Sequence, residues 1–204
     1  MAQARVDHSL SEPDPLACAL FLITAFILAG LVHTAWLRSR VSRPFAIPLD
    51  GGLTFRGRRL LGDNKTLRGF MGIVPAAGAT FFLLAGVLTA GSSPLASALW
   101  PLSPGGYAVL GLGAGLGFML GELPNSFVKR QLGIPPGAAP RHWLAKLPCF
   151  LVDRLDSIAG MLAVVSLLAS TPWQAWIYVL VIGPGIHWVF SLLLFWAGVK
   201  ARPA

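Results

Sequence analysis

Charge is scarce in this sequence. Only 24 of its 204 residues are Asp, Glu, Lys or Arg, and just eight are acidic, against roughly a quarter of the residues in an ordinary soluble domain. That shortage excludes a water-soluble enzyme. A composition 55% apolar with a mean hydropathy of +0.69 equally excludes a disordered chain, whose signature is low hydrophobicity with high charge. Cysteine is nearly absent as well: Cys18 and Cys149 have no neighbouring Cys or His at metal-ligand spacing, so nothing points to a thiolate metal centre.

What the sequence has instead is long runs without charge, at residues 16–36, 69–121 and 157–199 if His33 is neutral. A bilayer crossing takes about 20 residues, and the two longer runs are punctuated. Gly91, Ser92, Ser93 and Pro94, then Pro101, Pro104, Gly105 and Gly106 divide the first, and Thr171, Pro172 and Trp173 divide the second. The pattern predicts an all-α integral membrane protein with five transmembrane helices over about 16–36, 69–90, 107–123, 151–170 and 175–197. Gly183, Pro184 and Gly185 are expected to kink the last. Residues 1–15 form a tail and residues 16–200 one membrane domain. The tail carries Asp7, Glu12 and Asp14 against Arg5, unlike the basic start of a secretory signal.

The net charge of +8 and pI near 10.5 come from loops rather than from a nucleic-acid surface. Of 16 Lys and Arg, 15 fall in residues 37–68, 124–154 and 200–204. By the positive-inside rule these segments face the cytoplasm, leaving the amino terminus outside and the carboxyl terminus inside. Cys18 and Cys149 then lie on opposite sides and do not pair. Gly113, Gly117 and Gly121 have the small-xxx-small spacing that permits close helix packing. His33 and His187 read as interhelical hydrogen-bonders.

Five acids lie beyond the tail: Asp50, Asp63, Glu122, Asp153 and Asp156. All fall on the predicted cytoplasmic face, where acids beside lipid are functional candidates. In DRLD, Asp153 and Asp156 are three apart on one helical face and suit a shared hard divalent cation. The plainer reading is that they complement the amino-terminal dipole of the fourth helix, with Arg154 as partner. The loop GDNKTLRG, residues 62–69, puts Gly62, Asp63, Asn64, Lys65, Thr66 and Arg68 at the entrance of the second helix. These residues suit a polyphosphate or, equally, anionic headgroups. In GELPNSFVKRQLGI, residues 121–134, Glu122 precedes Ser126, Lys129 and Arg130. Three loops on one face thus each bring a carboxylate with cations, as a magnesium and triphosphate site requires.

At these residues the sequence resembles the CDP-archaeol synthase family, integral membrane enzymes related to phosphatidate cytidylyltransferases. The matching segments are DGGLTFRGRRLLGDNKTLRG from position 50, GELPNSFVKRQLGI and DRLD. The resemblance implies transfer of CMP from CTP to a membrane lipid phosphate, of archaeol or phosphatidate type, with magnesium and release of pyrophosphate. Carried over by motif, Asp63, Asn64, Lys65, Thr66 and Arg68 belong to the nucleotide loop and Ser126, Lys129 and Arg130 to the second motif. Asp153 and Asp156, with Glu122, would hold the metal. The chain departs from the family's usual pattern at Glu122, at Gln131 and at Arg154. The rivals are a CDP-alcohol phosphotransferase, whose longer acidic signature DRLD lacks, a small transporter, and a non-catalytic scaffold. The expected place is the cell membrane, multi-pass, with the active site facing the cytoplasm.

Overall fold

The computed structural model describes residues 12–136, 138 and 143–198, and for residues 143–146 the backbone alone. Five long helices dominate: α1 (Pro15–Arg38), α2 (Leu67–Ala90), α4 (Pro104–Gln131), α5 (Trp143–Leu168) and α6 (Trp173–Trp196), with a single turn α3 (Pro94–Ser97) between α2 and α4. The chain between α1 and α2 contains a 3-10 turn (Arg43–Phe45) and a small antiparallel hairpin, β1 (Thr54–Phe55) with β2 (Arg58–Arg59). Four helices, α1, α2, α4 and α6, are long and apolar enough to cross a membrane. The fifth, α5, is 26 residues long and carries Asp153, Arg154 and Asp156 in its middle.

Local sequence sets where these helices start. Asp14 caps α1 by accepting from the amide of Ala17 at 2.8 Å, with Pro15 in the first turn. Ser103 does the same for α4, accepting from Gly106 at 3.1 Å ahead of Pro104. The helix ends depart from the sequence expectation. The third long helix, predicted over 107–123, runs on to Gln131 through Pro124, and the fourth, predicted from 151, begins at Trp143 and passes through Pro148. A charge-free run marks the stretch suited to hydrocarbon, not the end of the helix. The 28 residues of α4 span about 42 Å at 1.5 Å per residue, well beyond a ~30 Å apolar core. The last helix continues through Gly183, Pro184 and Gly185 without a break.

Packing follows the small residues. A Cβ built on Gly117 would meet the carbonyl of Gly160 at 2.5 Å, one on Gly160 would come within 2.7 Å of the Gly121 Cα, and one on Gly121 would collide with the carbonyl of Asp156. At this crossing α4 and α5 therefore touch backbone to backbone, as the glycine spacing predicts. Away from it, Phe21, Phe81, Trp100 and Tyr107 fill a buried aromatic cluster, with Phe21 and Phe81 edge to face at 5.2 Å. Trp100 Nε1 donates to the Ser170 carbonyl and the Tyr107 hydroxyl to that of Trp100, each at 2.8 Å. The outer faces expose large apolar side chains such as Leu83, Val181 and Leu167, as a lipid-facing surface should. Cys18 and Cys149 are both free thiols. The expectation for His33 needs correcting: it packs against Gly72 of α2, and its Nδ1 finds no hydrogen-bond partner among the described residues.

Candidate active site

Asp50 organises the loop before α2. Only 4% exposed, its carboxylate accepts from Arg59 Nη2 at 2.5 Å and from the amides of Gly52, Leu61 and Gly62 at 3.0–3.2 Å. The Arg59 guanidinium, helped by those amides and opposed by burial, holds this carboxyl well below the usual carboxylate range. Arg59 also reaches the exposed Asp63 at 2.8 Å. Gly62 adopts φ +99°, a conformation that favours glycine, and a Cβ there would approach Asn64 Oδ1 at 3.5 Å and Arg130 Cδ at 3.6 Å. The backbone of Lys65 and Leu67 is clipped to Leu49 and Ile47 by hydrogen bonds of 2.9 Å. The segment holding Gly62, Asn64 and Lys65 is thereby fixed beside α4.

From that loop one connected line of polar side chains runs across two helices. Lys65 Nζ pairs with Glu122 Oε2 on α4. The other oxygen of Glu122 accepts from Ser157 Oγ of α5 at 2.8 Å, and the same hydroxyl lies 3.2 Å from Asp156 Oδ1. Asn125 Nδ2 donates to Asp156 Oδ2 at 2.8 Å and to Asp153 Oδ1 at 2.6 Å. Lys129 closes the line on Asp153. The glycine contact of α4 with α5 lies one to two turns away, and Asn125 and Lys129 are four residues apart on one face of α4.

The structure thus brings together Lys65, Glu122, Lys129, Asp153 and Asp156. Arg130 and Ser126 are buried on the same stretch of α4, and Arg130 Nε and Nη1 have no partner among the described residues. Two expected site residues point elsewhere. Asp63 is tied to Arg59, and Arg68 donates from Nε to Ser42 Oγ at 2.8 Å and from Nη2 to the Leu37 carbonyl, fastening the end of α1 to the start of α2. Trp36 Nε1 returns the contact by donating to the Arg68 carbonyl at 3.0 Å. Thr66 stands at the N-cap of α2 without a side-chain capping bond.

The dipole explanation for DRLD does not hold. Asp153 is ten residues into α5, whereas dipole effects fade within the first turn. Arg154 is turned away onto Phe150, with Cζ 3.3 Å from the ring centroid. Among the described residues no three His, Cys, Asp or Glu side chains form a ready metal cage. Glu122 joins Asp153 and Asp156 only through Ser157 and Asn125.

Asn125, Ser157 and Arg59 are the site residues that the sequence reading does not single out, whereas Asp50 is among its five candidate acids. Asn125 follows Pro124, at which the sequence pattern ends the helix, so the pattern alone does not align it with Lys129. Ser157 is four residues after Asp153, a spacing that was available.

A family model described as CarS-like CDP-archaeol synthase matches residues 18–203. The chain belongs to the CDP-archaeol synthase family. A member from Thermofilum pendens is 35% identical over 197 residues, covering 96% of this chain and 84% of that protein. Another, from Thermococcus kodakarensis, is 31% identical, covering 76% and 81%. A solved structure described as an intramembrane enzyme for archaeal membrane lipid biosynthesis superposes with a TM-score of 0.52 at 29% identity, covering 87% of this chain and 93% of that one. This family member is therefore a multi-pass helical membrane enzyme of lipid biosynthesis, and the segments matched by the family model include every residue of the polar line.

Proposed function

We propose that this enzyme transfers CMP from CTP to the phosphate of an archaeol-type lipid, as a five-crossing protein whose site faces the cytoplasm. The observation that carries the reading is the polar line from Lys65 through Glu122, Ser157, Asp156, Asn125 and Asp153 to Lys129. It sets three carboxylates between two lysines where long apolar helices meet a basic loop. The relatives' name supplies the acceptor class, and the basic-residue count supplies the orientation.

In this reading an oxygen of the lipid phosphate attacks the α-phosphorus of CTP. The new phosphorus–oxygen bond forms as the bond to the bridging oxygen breaks, and pyrophosphate leaves. A phosphate monoester is already anionic near neutral pH, so no strong general base is required. Positioning and charge neutralisation supply the acceleration. Lys65, Lys129 and Arg130 meet the phosphates, and the unpartnered Arg130 donors are ready to do so. Arg68 holds the loop in place from behind.

The donor set fits a magnesium ion. That ion takes one or two carboxylates and completes its shell with water and phosphate oxygens, and Asp153 and Asp156, joined by one amide, offer that number. Held there, it would neutralise charge on the triphosphate and the departing pyrophosphate. Glu122 sets Lys65 and, through Ser157, Asp156.

The deciding assay uses purified protein, labelled CTP, magnesium and a panel of lipid phosphates. CDP-lipid formed from the archaeol-type acceptor in preference to phosphatidate supports the reading. Preference for phosphatidate would reassign the acceptor, and no product from any lipid phosphate would overturn the function.

A further inference from the structure

The two acids of DRLD are held differently. Among the described residues Asp156 accepts only from neutral donors, namely Asn125 Nδ2, the Ser157 amide and the Ser157 hydroxyl. Asp153 accepts from Asn125 on one oxygen, and the ammonium of Lys129 donates to both of its oxygens. Asn125 alone is enough to fix the spacing of the carboxylates, because it reaches both. Lys129 adds a charge rather than a position, on a flexible four-carbon stem that rotates easily.

Asp153 is also the open member of the ion pair: its side chain is 38% exposed against 12% for Lys129. An ion arriving from water reaches the carboxylate without first crossing the lysine. Two cations sharing one carboxylate repel each other strongly in a partly desolvated site. Arg130, next to Lys129 on α4, has Nε and Nη1 without a partner among the described residues, a second cation on the same stretch of helix for an anion to meet.

We propose that Lys129 is an exchangeable counter-ion: a divalent cation entering at Asp153 displaces its ammonium, and the freed ammonium then serves the phosphates of the nucleotide. Cation and nucleotide binding are thereby coupled through one side chain, and coupling between two sites is reciprocal. The inference rests on the assignment of Asp153 and Asp156 to the metal, proposed above.

The test is Mn2+ binding to the full-length protein in detergent, without nucleotide, followed by electron paramagnetic resonance. Lys129→Met removes the competing charge and should tighten Mn2+ binding about tenfold, within the usual range of coupling between sites. Lys129→Arg, which keeps the charge, should stay near wild type, and Asn125→Ala, which loosens the pair, should weaken binding. With Mg2+ saturating, the same Lys129→Met change should weaken CTP binding about tenfold or more, the loss of a charge-assisted contact. Lys129→Gln repeats both measurements if the methionine variant does not fold. Mn2+ binding that is unchanged or weaker in the folded Met or Gln variant would overturn the exchange, even with the metal site intact. Wild-type protein that binds no stoichiometric Mn2+ would overturn both the exchange and the metal assignment.

Discussion

Lys65 and Glu122, 57 positions apart in the chain, form an ion pair that ties the loop ahead of α2 to the carboxyl-terminal half of α4. Both side chains are largely buried, at 16% and 18% exposure. Removing either one leaves the other charge without its partner, which is where most of the cost of breaking such a pair arises.

Lys65→Ala should therefore weaken CTP use by roughly 1.5–3 kcal/mol and lower thermal stability as well. Glu122→Gln should give a smaller stability loss, because the amide still accepts from Ser157. The double variant should be less destabilised than the sum of Lys65→Ala and Glu122→Gln. Thermal melts and CTP titrations of the three proteins check this; strict additivity would show that the pair is not coupled.

Arg68→Ala should separate from Lys65→Ala in its effect. Arg68 holds Leu37 and Ser42 rather than facing the acids, so its loss should cost about 1–3 kcal/mol of stability with a smaller rise in the KM for CTP. A KM change as large as that of Lys65→Ala, in a protein of normal melting temperature, would place Arg68 on the nucleotide.

Asp153→Asn and Asp156→Asn should each lower turnover and divalent-ion affinity while the protein stays folded. Their losses should not add, since a metal misplaced by one change has little left to lose by the second. Partial rescue of the single variants at high magnesium is expected. Full activity in both would end the metal assignment.

Asp50 gives a pH signature. Its folded carboxyl is held below the ordinary value of about 3.9 by Arg59 and the loop amides. It therefore contributes stability above that value and loses it as pH falls further, through the folded pKa. Asp50→Asn should be less stable than wild type at pH 7, and the gap should narrow below about pH 4. A gap that is constant with pH, in melting experiments at matched ionic strength, would assign the loss to packing instead of charge.

Orientation is tested by labelling single cysteines in intact cells or sealed vesicles. With the two native cysteines replaced, Arg58→Cys should react from the cytoplasmic side and His8→Cys from the outside. The reverse pattern would place the polar line on the wrong face for a cytoplasmic nucleotide.

The residues show why some of this was legible in sequence and some was not. Charge-free runs mark the four helices long and apolar enough to cross a membrane and the second half of α5, because burying charge in lipid is costly and the omission is visible in one dimension. The helices run on through Pro124 and Pro148, where the pattern ends them, since proline costs a helix one hydrogen bond but does not forbid it. The role of Asn125 depends on that continuation, by which it shares a helical face with Lys129. The charged members of the line stood out as acids and bases in a nearly uncharged chain. The neutral ones did not, because an asparagine or serine becomes remarkable only when its partners from another helix are known. Arg68 shows a further limit: its charge suggests a ligand contact, and only the fold reveals that Nε and Nη2 bond a hydroxyl and a carbonyl 26 and 31 residues away.

Gly117, Gly121 and Gly160 put α4 and α5 in main-chain contact beside the acids, and that contact works as a lever with its pivot next to the load. No side-chain layer lies at the pivot to absorb a change in tilt. Any rocking of α5 against α4 reaches Asn125 and Asp156 undamped, one turn beyond Gly121 and one turn before Gly160. The reach of Asn125 on α4 to Asp153 and Asp156 on α5 is thus set by how the two helices lie against each other.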